Sequence, residues 1–412
     1  MKTAKMYLVF AGALAAFGAT GCSSSVAAKS YEAGTPVKVG LICLHDKDST
    51  YDRNFIDALD SAVADLGSRV ASKIVKTNVA ESMDAYDAAK DLVKQGCNVI
   101  FADSFGHEEF VLKAAKEFPT VTFCHATGTQ ANVVEGVPNY HNAFASIYEG
   151  RYLAGYVAGL KLADMIEGGK LNAKNYDDNG NVKLGYVGAY PYAEVVSGYT
   201  SWFLGVKEVV SNVVMDVTFT SSWYDIDAEK AGANTLYNRG AAIISQHADS
   251  MGAPGECETL GVPNVTYNVP LAEECPNTYL AYSKIDWAPY YKAVVNALYD
   301  GKAIEGEVNN NYTGTIGTGS VVYDAPNAEY KAKAEQVKDE LIAKTRRVFD
   351  CSKFTVKGEN LSSYNADVYD RGDYQPDTNV IKTEGGITFF DESALRSAPY
   401  FDIQIDGITK LN

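Results

Sequence analysis

Basic side chains are scarce in this sequence. It has 36 Lys and Arg residues against 52 Asp and Glu residues in a chain of 412, and the formal net charge at pH 7 is −16. Proteins that bind nucleic acid neutralise many phosphates with Lys and Arg. A charge of this sign therefore argues against a nucleic-acid partner, and it says little about the fold.

Several motifs of catalytic and metal sites are also missing. The chain has no glycine-rich phosphate loop ending in GK, no GxSxG turn, and neither an HxxxH nor a CxxC spacing. We therefore expect no cofactor, no metal and no catalysis. One alternative remains open, because all five histidines fall at strand ends or between lobes and imidazole with carboxylate is a ligand set that zinc prefers. That zinc receptor would use His45, His107, His125, His141 and His247, with Asp46, Asp103 or Asp249 completing the set.

Long apolar runs are absent except near the start of the chain. Lys2 and Lys5 precede an apolar run from residue 6 to residue 16, which is too short to span a bilayer. Small residues then flank Cys22, and the segment resembles a bacterial lipoprotein signal. The resemblance implies that residues 1–21 are removed and that Cys22 carries a lipid anchor on the extracytoplasmic side of the cell membrane. Ordinary secretion with a free Cys22 is the alternative.

Cysteines are too few and too scattered for a disulfide-stapled scaffold. Six follow Cys22, and Cys43, Cys97 and Cys124 lie in or beside apolar strand runs, where a free thiol acts as a small hydrophobic group. The polar segment around Cys257 and Cys275 leaves one bridge open.

From Val37 onward, short apolar runs alternate with helical stretches of 10 to 20 residues. This alternation predicts an α/β protein with parallel, doubly wound sheets. The alternation occurs in two series, so we expect two lobes of the same architecture, joined by a three-segment hinge. The predicted divisions are a linker at 22–36, an N-terminal lobe at 37–140 with 284–303, a C-terminal lobe at 141–283 with 304–348, and a C-terminal extension at 349–412 whose packing is not predicted.

Aromatic and short polar residues recur where the predicted strands end. In open parallel sheets ligands bind beyond the carboxyl ends of the strands. Aromatic faces stack on planar rings, while carboxylates and amides form hydrogen bonds with polar groups of a ligand. The candidate ligand-binding residues are Asp46, Asp48, Tyr51, Asp52, Phe105, Tyr192, Trp223, Asp225, His247, Asp249, Asn268 and Trp287.

Several segments together resemble the basic membrane protein or PnrA-like family of substrate-binding lipoproteins of ATP-binding-cassette importers. They include VKVGLICLHDKDSTYDRNF, EGRYLAGYVAGL and GYVGAYPYAEVVSGYTSWFLGVK, and the similarity spans residues 37–325. The resemblance implies a two-lobed type I periplasmic binding-protein fold, a nucleoside-like ligand, and permease and ATPase subunits as partners. We expect a monomer.

The resemblance also assigns roles to individual positions. The family's base-stacking Phe-Asn pair corresponds to Tyr51 and Asp52, and its Gly-Phe pair to Ser104 and Phe105. Its ribose-binding carboxylate corresponds to the neutral Asn268, and an additional tryptophan, Trp287, follows the displaced lysine of the next segment. Hinge closure would bury the ligand between Tyr51, Phe105, Tyr192 and Trp223.

Two further functions compete with a nucleoside receptor. The same fold with altered contacts would suit a sugar-binding receptor. An enzyme acting on a nucleoside would need a general base, for which Asp46, Asp48 and Asp225 are the candidates.

Overall fold

The fold is taken from a computed structural model that describes residues 32–369 and 375–412. The predicted signal segment and Cys22 lie outside these ranges. No helix within them is both long enough and apolar enough to cross a bilayer.

The first half of the chain follows the predicted alternation. Its inner strands are buried on both faces, as in VKVGLI, because helices cover both sides of the sheet, whereas the edge strand β2 is partly exposed. In order, the elements are β1 (Val37–Ile42), α1 (Thr50–Leu66), β2 (Val70–Lys76), α2 (Met83–Lys94), β3 (Val99–Ala102), α3 (Glu108–Glu117), β4 (Thr122–Ala126) and β5 (Tyr140–Ala145).

The second series begins with a long helix and repeats the pattern. Its elements are α4 (Ile147–Glu167), β6 (Val182–Gly188), α5 (Ala193–Val209), β7 (Val213–Phe219), α6 (Ile226–Arg239), β8 (Ile244–His247), α7 (Gly252–Leu260), β9 (Asn264–Tyr267) and β10 (Tyr279–Ile285).

The last third returns to both lobes and then adds short strands. It contains α8 (Ala288–Asp300), β11 (Glu307–Val308), β12 (Asn311–Gly314), β13 (Val321–Asp324), α9 (Ala328–Ile342), β14 (Asn365–Ala366), β15 (Thr378–Asn379), β16 (Ile381–Glu384), β17 (Ile387–Phe390) and β18 (Ile408–Lys410).

Two seven-stranded sheets form the two lobes. Sheet 1 has the order β11-β12-β5-β4-β3-β1-β2, and sheet 2 has the order β13-β10-β9-β8-β6-β7-β18. Pairing is parallel except between β11 and β12 and between β10 and β13. The chain passes between the lobes after β5, after β10 and after β12. Two lobes, each built on a mainly parallel sheet and joined by three passages of the chain, confirm the predicted fold class.

Sheet membership differs from the predicted lobe boundaries at two places. Residues 141–145 belong to β5 of sheet 1, although the sequence groups them with the second lobe. Residues 307–314 also return to sheet 1 as β11 and β12, and only β13 joins sheet 2. Both segments contain polar residues such as His141 and Asn311, so a search for apolar runs does not recognise them as strands.

The C-terminal extension is attached to both lobes. On the first lobe, the Ser397 N–H and hydroxyl both donate to Asn311 Oδ1 at 3.1 Å. On the second, β18 pairs with β7, and the Asn412 side chain bonds both the N–H and the carbonyl oxygen of Phe219 at 2.8 Å. The extension therefore spans the two lobes.

The described cysteines are all free and buried. The bridge that the sequence left open between Cys257 and Cys275 is therefore absent from the structure.

Helices α4 and α5 cross in direct backbone contact. A Cβ added at Gly155 of α4 would lie 2.1 Å from the Trp202 carbonyl oxygen, and one at Gly205 of α5 would lie 2.1 Å from the Tyr152 carbonyl oxygen. Because the obstructing atoms are backbone, neither side chain can be accommodated by a rotamer change.

We predict that Gly155→Ala destabilises the protein by about 1–3 kcal/mol or more through overpacking. Gly255→Ala in α7 is the matched control, because no atom lies within 4 Å of its added Cβ; it should be neutral or slightly stabilising. Urea unfolding of the two variants measures the difference, and equal stability would contradict the close crossing.

Candidate functional site

An inner cavity of about 360 Å³ lies between the lobes, where the carboxyl ends of the two sheets face each other. The first lobe contributes Leu44, Tyr51, Asp52, Ser104, Phe105 and Thr127, and the second contributes Glu194, Trp223, His247, Asp249 and Tyr267.

The first-lobe wall is shaped by the beginning of α1. Ser49 caps this helix, and its hydroxyl donates to Asp52 Oδ2 at 2.6 Å. The His45 N–H donates to Asp52 Oδ1 at 2.8 Å. Tyr51 is held by its hydroxyl, which donates to the carbonyl oxygen of Asp103 at 2.9 Å. The first turn of α1 therefore presents the ring of Tyr51 and the buried carboxylate of Asp52 at fixed positions.

Asp52 and Asp103 form a buried carboxyl pair behind this wall. Their carboxyl oxygens and the Cys43 sulfur lie within 4.8 Å of one another. Burial and the nearby Asp52 carboxylate raise the pKa of Asp103 well above its ordinary value. Burial also opposes ionisation of Asp52, but hydrogen bonds from His45 and Ser49 outweigh it and lower the pKa of Asp52. Asp52 therefore carries the charge and Asp103 retains a proton to higher pH.

The second-lobe wall combines two rings with polar groups. Trp223 follows β7, and its carbonyl oxygen accepts from the Asp249 N–H at 2.9 Å. Burial and neighbouring carboxylates raise the pKa of Asp249 well above its usual range. Burial and the neighbouring Arg151 lower the pKa of His247 to about 4, so its imidazole is neutral. The guanidinium of Arg151 lies 3.5 Å from the centroid of the Tyr267 ring, and Tyr267 also lines the cavity.

The lobes touch across the cleft. The Thr50 N–H of the first lobe donates to the Asp249 carbonyl oxygen of the second at 2.9 Å. Phe105 and Tyr192 bring their ring centroids to 5.5 Å, and His45 and Tyr224 to 5.4 Å. These contacts enclose the inner cavity, so the structure has the lobes closed.

Six of the twelve residues predicted from the sequence line the inner cavity. Tyr192 lies beside it, in a second cavity that shares several of its walls. The six are Tyr51, Asp52, Phe105, Trp223, His247 and Asp249.

The other five predicted residues line neither of these cavities. Asp46 accepts hydrogen bonds from the Asp48 N–H and from the Asn78 side chain, and it therefore orders its own loop. Asp48, in the same loop, is exposed. Asp225 caps α6 by accepting from the Ala228 N–H at 2.9 Å. The three carboxylates considered as catalytic bases are therefore outside the inner cavity.

The remaining two are buried in the protein. Trp287 is only 3% exposed and stacks on Phe55 at 4.3 Å between ring centroids, so it belongs to the core. Asn268 is 1% exposed and turns the chain with a left-handed φ of 69°. The preceding residue, Tyr267, lines the cavity instead.

Five cavity residues are not among the twelve candidate residues, although the resemblance had already matched Ser104 to a family position. Ser104 and Thr127 lie within two residues of a strand end, and Glu194 lies in the first turn of α5, which are positions that the same search could have used. Tyr267 and Asn268 are adjacent, and successive strand residues face opposite sides, so the sequence alone did not tell which faces the ligand side. The fifth, Leu44, ends the apolar run VKVGLICL, a pattern that predicts a buried strand residue.

The described histidines do not assemble into a metal site. The only group of three or more close metal-ligand atoms found in residues 32–369 and 375–412 is Cys43, Asp52 and Asp103. Each histidine instead has its own neighbour: Asp52 for His45, Val79 for His107, Ser104 for His125, Glu307 for His141 and Glu194 for His247.

The buried carboxyl pair predicts a pH-dependent stability. Asp103 holds its proton to higher pH in the folded chain than in the unfolded one, so its contribution to stability is lost as pH rises from about 4 through the raised pKa. The melting temperature of Asp103→Asn, relative to wild type, should therefore increase between pH 5 and pH 8. Asp48→Asn, at an exposed carboxylate, is the matched control. Parallel melting curves of Asp103→Asn and wild type across this range would contradict the pairing.

The comparisons with known proteins agree with this geometry. Residues 40–267 match the family model of PnrA-like ABC transporter substrate-binding proteins. A purine-binding protein of Brucella abortus is 32% identical over 268 residues, which cover 64% of this chain and 69% of that protein. A Haloferax volcanii protein provisionally described as an ABC transporter glucose-binding protein is 28% identical over 255 residues, or 61% of this chain and 57% of that protein.

A solved structure supports the fold. An ABC transporter solute-binding protein from Conexibacter woesei superposes with a TM-score of 0.59 at 18% identity, covering 76% of this chain and 98% of that one. The family model spans more than half of the chain, and the Brucella relative is matched over more than two thirds of its length. The chain therefore belongs to the PnrA-like family of ABC transporter substrate-binding proteins.

Proposed function

We propose that this protein captures a purine base or nucleoside in the inner cavity and delivers it to the permease and ATPase of an importer. The observation that carries the proposal is the pairing of aromatic walls from both lobes. Tyr51 and Phe105 face the cavity from the first lobe, and Trp223 and Tyr267 from the second. A planar ring placed between such walls gains stacking contacts on two sides.

The polar groups of the cavity suit an uncharged heterocycle. With its pKa raised, Asp249 offers a hydroxyl donor and a carbonyl acceptor on one carboxyl group. A purine edge presents N–H donors beside nitrogen or carbonyl acceptors, so the two can form a two-point contact. The neutral His247 adds one donor and one acceptor. A strongly anionic ligand would instead face the ionised Asp52.

Two relatives favour different ligands. The Brucella relative is named for purine binding, whereas the Haloferax relative is described as glucose-binding. A sugar receptor is therefore the second candidate function. Four aromatic side chains line this cavity, and they favour the flat ring of a purine over a hydroxyl-covered sugar.

We also propose where the protein acts. As the binding component of an importer it works on the extracytoplasmic side of the membrane, as a monomer, and the lipoprotein-like segment would attach it there through Cys22. The family functions by binding, which fits the placement of Asp46, Asp48 and Asp225 outside the cavity. Mass spectrometry of the membrane-extracted protein tests the anchor on Cys22.

Isothermal titration with hypoxanthine, inosine and glucose tests the ligand class. Wild type should bind the purines, and Trp223→Ala should weaken that binding by about 1–3 kcal/mol, or roughly 5- to 150-fold, because one stacking face is lost. Trp223→Phe is the matched control, since it keeps a ring and should lose less.

Two results would count against the proposal. Unchanged purine affinity in Trp223→Ala would remove that ring from the ligand contacts. Binding of glucose with no purine binding would select the sugar receptor.

A further inference from the structure

Arg151 is one of two arginine or lysine residues that are buried in the described chain, and the other is Arg396. It lies near the beginning of α4 and is only 1% exposed. A charged side chain is costly to bury unless its nitrogens find partners. The guanidinium of Arg396 donates to three backbone carbonyl oxygens. That of Arg151 donates to one, the carbonyl oxygen of Gln246, at 2.8 Å.

The other nitrogens of the Arg151 guanidinium have no polar partner within residues 32–369 and 375–412. Nε and Nη2 are buried and form no hydrogen bond there. Glu194 of the cavity wall pairs with His247 at 3.3 Å, and not with Arg151. The guanidinium contacts the ring of Tyr267 instead, at 3.5 Å from the ring centroid. A cation placed over an aromatic face recovers part of the cost of burial, so Arg151 depends on this ring.

Tyr267 depends on Arg151 in return. Its ring is buried and lines the inner cavity, but its hydroxyl forms no hydrogen bond within the described part of the chain. The ring is therefore oriented by packing, against the guanidinium and against His247, whose ring centroid lies 4.8 Å away. A ligand that packs on Tyr267 thus meets a ring whose position Arg151 helps to set.

Arg151 also holds the end of β8. The carbonyl oxygen that accepts its hydrogen bond belongs to Gln246, and the next residue, His247, lines the inner cavity. A Cβ added at Gly198 would lie 2.7 Å from His247 Nδ1 and 3.6 Å from Arg151 Nε, so both side chains pack over that glycine. Arg151 itself lines neither cavity. It therefore lies behind the second-lobe wall and contacts that wall at two places.

The charge of Arg151 acts on the His247 imidazole. Burial of the imidazole and, after it, the positive charge of Arg151 lower the pKa of His247 to about 4. Glu194 acts in the opposite direction, because its carboxylate faces His247 Nε2 at 3.3 Å. Arg151 thus reinforces the effect of burial against that of Glu194.

Other groups around His247 add little charge. Burial raises the pKa of the Tyr267 phenol on β9 and that of the Asp249 carboxyl group, which limits the charge of both. On the other side of β8, Gly188 of β6 pairs with His247 and has no titratable group. Arg151 and Glu194 are therefore the groups that act on the imidazole with opposite sign.

We propose that Arg151 is a positioning residue of the inner cavity, which sets the Tyr267 ring and the end of β8 for ligand binding from behind the second-lobe wall. The inference rests on the proposed function and deepens it, because it names a side chain outside the cavity on which the affinity depends. The charge of Arg151 adds a second effect, since a neutral His247 keeps both a donor and an acceptor for the ligand.

Titration calorimetry with hypoxanthine measures the positioning effect. Arg151→Met removes the guanidinium and keeps an unbranched side chain, and it should weaken hypoxanthine binding by about tenfold or more, because Tyr267 and β8 lose a contact. Arg151→Lys keeps the charge without the planar group, and it should weaken binding by a smaller factor, about threefold or more. Lys161→Met is the matched control. It removes the same charge from the same helix at a residue that lines neither cavity, and it should leave the affinity within about twofold of wild type.

A histidine titration followed by NMR separates positioning from a general loss of stability. The His247 signal is the one that disappears in His247→Gln. In wild type it should titrate at about pH 4. Its midpoint should rise by about one pH unit or more in Arg151→Met, because the nearby positive charge is gone. It should stay at the wild-type value in Arg151→Lys and in Lys161→Met, and a loss of stability alone would move none of these midpoints.

Three results would overturn the inference while the proposed function stands. In the first, wild type binds hypoxanthine and Arg151→Met binds it within about twofold of the wild-type affinity. In the second, Arg151→Met weakens binding but His247 titrates as in wild type, which leaves Arg151 a purely structural role. In the third, His247 of wild type already titrates near the ordinary value of about 6.5.

Two further outcomes also decide the matter. If Arg151→Met does not fold, Arg151→Lys takes its place, and an affinity within about twofold of wild type overturns the inference. If wild type does not bind hypoxanthine, the proposed function fails, and the role of Arg151 in binding fails with it.

Discussion

The two parallel sheets meet at the carboxyl ends of their strands, and the inner cavity depends on that constraint. Parallel strands deliver loops and helix N-termini to one edge of a sheet. Here Tyr51 comes from the turn after β1, Phe105 from the turn after β3, and Trp223 from the turn after β7. The Thr50 N–H bond to the Asp249 carbonyl oxygen then holds the two edges together. Rings far apart in the sequence thereby become opposite walls of one space.

Burial at this edge determines the charge of the site. Carboxyl groups enclosed within 4.8 Å of each other, as Asp52 and Asp103 are, do not both ionise readily. The hydrogen bonds that Ser49 and His45 donate place the charge on Asp52. Asp52 keeps its negative charge and the acidic side chain of Glu194 also lines the cavity, whereas the His247 imidazole is neutral, so the cavity suits an uncharged heterocycle better than an anion.

Local patterns predicted much of this arrangement. The alternation of apolar runs and helices indicated the fold class. The search for polar or aromatic residues at strand ends gave twelve candidate residues, and half of them line the inner cavity. Asp225 lies outside the inner cavity, because an Asp at a strand end also serves as a helix cap. Trp287 also lies outside it, because the chain returns to the first lobe before α8 and packs this ring on Phe55, a contact between residues far apart in the sequence.

The C-terminal extension was beyond sequence prediction for the same reason. Its position is set by distant partners, such as Asn311 for Ser397 and β7 for β18. Short strands and irregular segments carry little periodic signal that would reveal those partners. Arg396, Tyr400 and Asp402 of the extension line the second cavity, which lies beside the inner one.

The central claim is that the aromatic walls of the closed cleft hold a planar ring. A crystal structure of the protein grown with hypoxanthine tests it most directly. The account predicts ring-shaped density in the inner cavity, stacked on Trp223 and within hydrogen-bond distance of the Asp249 carboxyl group. Hypoxanthine density elsewhere on the protein, with the inner cavity free of it, would contradict the account.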